Sequence, residues 1–383
     1  MGKIGQLLDG LLSASSPGRP AWNIEVVLGH IEPVWNYIDG CMIKAVLDMH
    51  SVTGDDAYLR FADAFVDWYV DADGNMRGYV LEDYNNDNIN EGKVLFTLHR
   101  LTGKAKYRKA LAILYKQILT QPRTKTGSFW HKKIYPDQVW LDGLYMTLPF
   151  YAEYESEFNN RENYPDIVKQ FANAYSSMRD PETGLLYHGY DEARLCSWAD
   201  KTTGCSKNFW TRSLGWYAMA LVDTLEILDG GQTGGTSELR AYVREIIGAL
   251  AVVADPDTGM FWQVTDMGGR EGNYLETSGT CAIAYSFMKA ARLGYVPADW
   301  FTRGKRIFES VVADKLTFEN GGFTLKDICL VAGLGVYLGR GNYPERDGSY
   351  EYYISEPRVD NDAKGVAPLL FSYAELCRKE KPL

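Results

Sequence analysis

The segment 121–146, QPRTKTGSFWHKKIYPDQVWLDGLYM, sets one carboxylate, Asp142, in an otherwise apolar and aromatic run just downstream of His131, Lys132 and Lys133. A carboxyl among Trp140, Leu141, Leu144, Tyr145 and Met146 is expected to be desolvated, which disfavours its charged form and raises its pKa. Such a group can keep a proton at neutral pH and deliver it as a general acid. The plainer roles for the same residue are a buried helix cap or an ion-pair partner of Lys132. Asp87, in YNNDNINEGK, stands at a helix start, as an N-cap or as a second acid or ligand for sugar hydroxyls. His131 in FWHKK and His188 in LLYHGYDE fall in related loops, and neither has the neighbours of a metal site. Arg212, between Trp210 and Trp216 in KNFWTRSLGWY, carries a planar fork that suits a two-pronged clamp on a carboxylate, or packing on Trp alone. Trp35, Tyr37, Asn88 and Glu91 are the other unusual residues at helix starts, with Tyr37 a candidate substrate contact.

An internal repeat must position these groups. HSVTGDDAYLRFADAFV, from His50, matches HRLTGKAKYRKALAILY, from His99. In each a helix ends in Thr-Gly and a second begins, so Gly54 and Gly103 read as helix C-caps. His50 and His99 hold equivalent places in the repeat and read as structural. Between helices recur DADGNMRGY, TKTGSFWHK, PETGLLYHG, PDTGMFWQV and ENGGFTLKD, each a turn glycine followed by a short extended segment.

Residues 56–70, 104–120, 162–178, 236–254 and 297–313 have an amphipathic helical period. Residues 37–53, 88–102, 138–155, 209–229, 275–293 and 327–339 are apolar nearly all round, as helices buried on every side must be. The alternation predicts one all-α domain over residues 1–383, an (α/α)6 barrel of helical hairpins with short strands in the connecting loops. The N-terminal segment supplies the remaining outer helix. The loops lead into the N-terminal ends of the inner helices, whose free N–H groups and positive dipole ends suit an anionic ligand. The pocket is expected there.

A net charge of −10 without Lys/Arg runs argues against nucleic acid and anionic membranes. The six cysteines are scattered with no C-x-x-C, so neither a zinc site nor a disulfide framework is expected. No signal-type segment and no apolar run of about 20 residues is present, which points to a cytoplasmic protein without a membrane span. The 10 Trp, 26 Tyr and 15 Phe suit sugar binding as well as an aromatic core.

QPRTKTGSFWHKKIYPDQVWLDGLYM, LYHGYDE, NFWTRSLGWY and DGSYEYYISEPRVDNDAKGVAPLL resemble the unsaturated rhamnogalacturonyl hydrolases of glycoside hydrolase family 105, over essentially the whole chain. The resemblance implies an (α/α)6 fold and a small oligosaccharide substrate with a 4,5-unsaturated galacturonic acid at its non-reducing end, as left by pectin lyases. It puts the general acid on Asp142 and the second important Asp on Asp87. His131, Lys132, His188, Trp210 and Arg212 then contact the uronate and sugar, with Trp216 lining the site. Neither metal nor cofactor is implied. Val139 and Lys207 depart from the usual Met and Pro, at the subsite beyond the uronate. Three other readings stay open: an unsaturated glucuronyl hydrolase, a sugar 2-epimerase using His131 and His188, and a catalytically silent sugar-binding protein.

Overall fold

The computed structural model describes residues 2–230, 236–319, 321–335 and 345–380. Six inner segments form the ring: α3 (Tyr37–Thr53), the pair α5 (Asp87–Asn90) and α6 (Lys93–Thr102), α8 (Leu141–Phe158), α10 (Thr211–Asp229), α12 (Thr277–Arg292) and α15 (Ala363–Glu380). Each packs on the next, and α15 closes the circle onto α3. Outside lie α1 (Gly2–Ser13), α4 (Asp56–Tyr69), α7 (Ala105–Thr120), α9 (Tyr164–Met178), α11 (Thr236–Val253) and α13 (Asp299–Asp314). Two short helices, α2 (Ile24–Gly29) and α14 (Tyr350–Ser355), sit in connections. Inner helices are buried all round, as in α12, where every residue from Thr277 to Ala290 is buried. Outer helices bury one stripe, such as Ile307, Phe308 and Val311 of α13. Gly54 and Gly103 end α3 and α6 at φ 74 and 70, the left-handed cap that a side chain disfavours. No helix among the described residues is long and apolar enough to cross a membrane.

Three two-stranded pairings occupy the loops. β1 (Gln138–Trp140) pairs antiparallel with β2 (Gly189–Asp191), in register Val139 opposite Tyr190 and Trp140 opposite Gly189. β3 (Leu316–Glu319) and β4 (Gly322–Leu325) form a hairpin, and β5 (Ile328–Cys329) pairs with β6 (Arg358–Val359).

The sixth inner helix differs from expectation. Residues 327–335 are extended or irregular rather than helical, and 336–339 lie outside the described residues. A short buried apolar run has no periodicity that separates strand from helix. The ring position is filled instead by α15, whose Gly365 and Pro368 disguise it as loop. Gly365 is required there, because a Cβ would come within 2.6 Å of Ile328. The expected helix 88–102 is broken at Glu91 and Gly92, where a Cβ on Gly92 would meet Leu114 at 2.4 Å. In α8, Pro149 cannot donate to the carbonyl of Tyr145 four residues back. Lys93 of α6 supplies the missing donor at 2.7 Å.

The end of the barrel formed by the C-termini of the inner helices holds a cavity of about 580 Å³ lined by Lys44, Asp48, Lys93, Glu153, Asp223 and Lys289 among others. Its charges mostly satisfy one another: Lys44 with Asp48 at 3.1 Å, and Lys289 with Asp223 and Glu226 at 2.7 Å each. The residues with chemistry to spare gather at the opposite end.

Candidate active site

Asp142 is the second residue of α8 and points from its N-terminal turn. The β1–β2 pairing sets what it faces: the N–H of Leu141 donates to the carbonyl of His188 at 3.1 Å, holding His188 one residue away across the pair. His188 Nε2 then stands 3.3 Å from Asp142 Oδ2. Neither atom has a formed hydrogen bond, so they face each other at ion-pair distance without hydrogen-bond alignment. Oδ2 is buried, so the 15% exposure of the Asp142 side chain belongs to its other atoms. The other ring nitrogen of His188, Nδ1, is 2.7 Å from the hydroxyl of Tyr353. Trp140 and Trp210 wall the His188 ring at centroid distances of 5.5 and 4.7 Å. The wholly apolar surroundings expected of Asp142 are therefore interrupted by one imidazole. Lys132 is not its partner.

Lys132 pairs with Asp87, the first residue of α5, at 2.6 Å. Burial alone raises a carboxylate, but Lys132, aided by His131, outweighs it and holds Asp87 below its ordinary value. His131 Nε2 lies 3.7 Å from the same carboxylate. Burial pushes His131 down to about 4 against the pull of Asp87, so at neutral pH its imidazole is uncharged. Its ring stacks on Trp140 at 4.5 Å. The backbone fixes this group too, since His131 donates to the carbonyl of Gln138 at 2.8 Å and accepts from the N–H of Asn86 at 3.1 Å. Gly143 is needed beside it: a Cβ there would stand 2.9 Å from His131 Nδ1.

Arg212, second residue of α10, is buried. Its guanidinium donates to the carbonyls of Cys329 and Leu330 and to Ser278 Oγ, and lies 4.5 Å from the Trp210 ring. These carbonyls are free to accept because 327–335 is not a helix. Burial opposes its charge, while Cys329, Glu276, Tyr37 and Asp362 outweigh burial and hold it above its ordinary value. No carboxylate among the described residues reaches ion-pair distance of it, and the expected contact with Trp210 is present. Tyr37, the first residue of α3, feels both Asp87 and Arg212; burial chiefly raises its phenol well above the ordinary value and keeps it a donor. Trp210 donates to Gln263 Oε1 at 3.1 Å. Trp216 stacks on Tyr145 at 4.8 Å within the main core.

The structure thus gathers Asp142, His188, His131, Trp210, Lys132, Asp87, Tyr37 and Arg212 at one end of the ring. Two residues not singled out from sequence as site members join them. Trp140 separates the histidines and was visible beside Asp142. Tyr353 lies far along the chain, in a tyrosine-rich segment without any local sign of its target.

Comparison with known proteins identifies the family of the chain. The profile of Glycosyl Hydrolase Family 88 matches residues 22–380. A solved glycoside hydrolase of family 105 from C. acetobutylicum is 40% identical, covering 97% of this chain and 99% of that one, with a TM-score of 0.87. Protein Atu3128 of Agrobacterium fabrum is 39% identical over 235 residues, 60% of this chain and 97% of the relative. The unsaturated rhamnogalacturonyl hydrolase YesR of Bacillus subtilis is 23% identical over 265 residues, 68% of this chain and 72% of that protein. The chain therefore belongs to the glycosyl hydrolases of family 88 and family 105.

Proposed function

We propose that this enzyme removes a 4,5-unsaturated galacturonic acid from the non-reducing end of rhamnogalacturonan lyase products by hydrating the enol ether. The observation that carries the reading is the unequal setting of two carboxylates on one face. Asp87 is pinned as an anion by Lys132 at 2.6 Å, whereas Asp142 has no lysine or arginine at ion-pair distance among the described residues. Paired titratable groups in opposed environments mark acid and base assignments.

In this scheme Asp142 delivers its proton to C4 of the C4=C5 bond. Positive charge develops at C5 and the ring oxygen, and water adds at C5. The same carboxyl, now ionised, accepts a proton from that water. The hemiketal opens to a ketone at C5, and the hemiacetal left at C1 releases the second sugar. Arg212 and Tyr37 hold the uronate carboxylate, Asp87 and Lys132 bind hydroxyls, and Trp140 and Trp210 exclude bulk water. The name of YesR supports the galacturonyl-rhamnose assignment. The epimerase reading is disfavoured because the histidines are engaged: His188 lies between Tyr353 and Asp142, and His131 faces Asp87.

The test is incubation with unsaturated galacturonyl-rhamnose and, in parallel, an unsaturated glucuronyl disaccharide, following loss of enol-ether ultraviolet absorbance. Faster loss with the first is expected. Loss with the glucuronyl substrate alone would reassign the uronate, and loss with neither would remove the reading.

A further inference from the structure

We propose that Tyr353 is a positioning residue that fixes the tautomer of His188, so that the imidazole presents Nε2–H to Asp142 and leaves the transferable proton on the opposite carboxyl oxygen. The proposal rests on the assignment of Asp142 as proton donor. Its ground is a chain of three side chains from distant parts of the sequence. The Tyr353 hydroxyl lies 2.7 Å from His188 Nδ1, and His188 Nε2 lies 3.3 Å from Asp142 Oδ2.

A neutral imidazole has one donor and one acceptor nitrogen, and the partner of one decides the role of the other. His188 is wholly buried, so water does not set its tautomer. Tyr353 is wholly buried as well, and its hydroxyl has no other hydrogen-bond partner among the described residues. Were Nδ1 the donor, the phenol proton would be left buried without an acceptor, at a cost that disfavours that arrangement. Burial also raises the phenol well above its ordinary value, so it keeps its proton. The phenol therefore donates, Nδ1 accepts, and Nε2 carries the hydrogen.

The nitrogen carrying that hydrogen lies 3.3 Å from Oδ2, the buried oxygen of Asp142, at ion-pair distance without hydrogen-bond alignment. A protonated Asp142 is then driven to carry its proton on Oδ1. With the other tautomer, a bare Nε2 would accept the proton from Oδ2 and turn it away from the substrate. The phenol is itself held in place. Gln263 Nε2 donates to the carbonyl of Tyr353 at 3.0 Å while Gln263 Oε1 accepts from Trp210, tying α14 to the wall of the site.

Two measurements test this. The first is long-range proton–nitrogen NMR of the resting enzyme labelled with ¹⁵N-histidine, with the His188 signals assigned by their loss in His188→Gln. Nε2 protonated with Nδ1 bare is expected, and the reverse tautomer would overturn the proposal. This readout needs no substrate, so it stands apart from failure of the proposed reaction. The second is Tyr353→Phe, which keeps the ring and removes the donor. The native tautomer signature should be lost, and kcat should fall about tenfold or more with KM changed less than twofold, a tenfold change corresponding to about 1.4 kcal/mol. Tyr352→Phe serves as control, since Tyr352 accepts from the N–H of Gly333 and has no hydrogen bond to His188. An unchanged tautomer in Tyr353→Phe would equally refute the proposal.

Discussion

Replacing Lys132 by Met tests the division of labour between the two carboxylates. In the native protein Lys132 stands 2.6 Å from Asp87, with side-chain exposures of 23% and 15%. A cation this close favours the anion and holds the carboxyl below its ordinary value against the opposing effect of burial. Partial exposure of both side chains moderates the effect through solvent screening. Without Lys132, Asp87 keeps its burial but only His131 beside it, which titrates at about 4 and is uncharged at neutral pH. The carboxyl must therefore rise. Native Asp87 is depressed, so its contribution to stability is present above the unfolded value near 4 and is lost as pH falls through the folded value. In Lys132→Met that contribution disappears, and burial becomes a penalty that is full above the raised folded value and fades as pH falls through it. The acid limb of kcat/KM should move up in pH, and Tm should fall more at pH 7, where the buried carboxyl must carry its charge without Lys132, than at pH 5. Both are read from pH–rate profiles and thermal unfolding. A profile that overlays the native one would show that Lys132 does not hold Asp87 ionised.

Other substitutions probe the surrounding parts. Arg212→Lys keeps the charge but cannot span the Cys329 and Leu330 carbonyls while engaging an anion, so KM for uronate substrates should rise at least tenfold; an unchanged KM would remove Arg212 from the uronate subsite. Gly143→Ala places a methyl 2.9 Å from His131 Nδ1, so circular dichroism should stay native while turnover drops, and native turnover would show that the His131 position is not critical. Lys93 is pushed down to about 7 by burial, so its penalty is full below pH 7 and fades as pH rises toward 10. Lys93→Met combined with Pro149→Ala removes the buried amine and restores a helical donor to the Tyr145 carbonyl. That pair should raise Tm more at pH 7 than at pH 10, and equal shifts at both would contradict the account.

Much of the barrel was legible because its signal is repetitive. Apolar inner and amphipathic outer helices alternate, and Gly54 and Gly103 punctuate them in the same way. Legibility failed where local chemistry and tertiary role diverge. Residues 327–335 look like a buried helix yet run extended, since their carbonyls are spent on Arg212 and on pairing with Arg358 and Val359. α15 hid behind Gly365 and Pro368, whose presence reflects close packing rather than a chain break. In the site, residues at inner-helix starts could be found by position alone. The imidazole facing Asp142 could not, because it depends on the β1–β2 register. Trp216 shared a motif with Arg212, but one further helical turn carries it into the core.

The central claim is that Asp142 gives the proton that starts the reaction, and Asp142→Asn examines it most directly. The amide keeps the shape of the side chain and removes the transferable proton. Turnover of unsaturated galacturonyl-rhamnose, followed by ultraviolet loss, should drop by at least the roughly 10²–10⁴-fold that general acid catalysis supplies, with folding and substrate binding retained. Turnover near the native rate would contradict the account and leave Asp142 as a buried residue at the start of a helix.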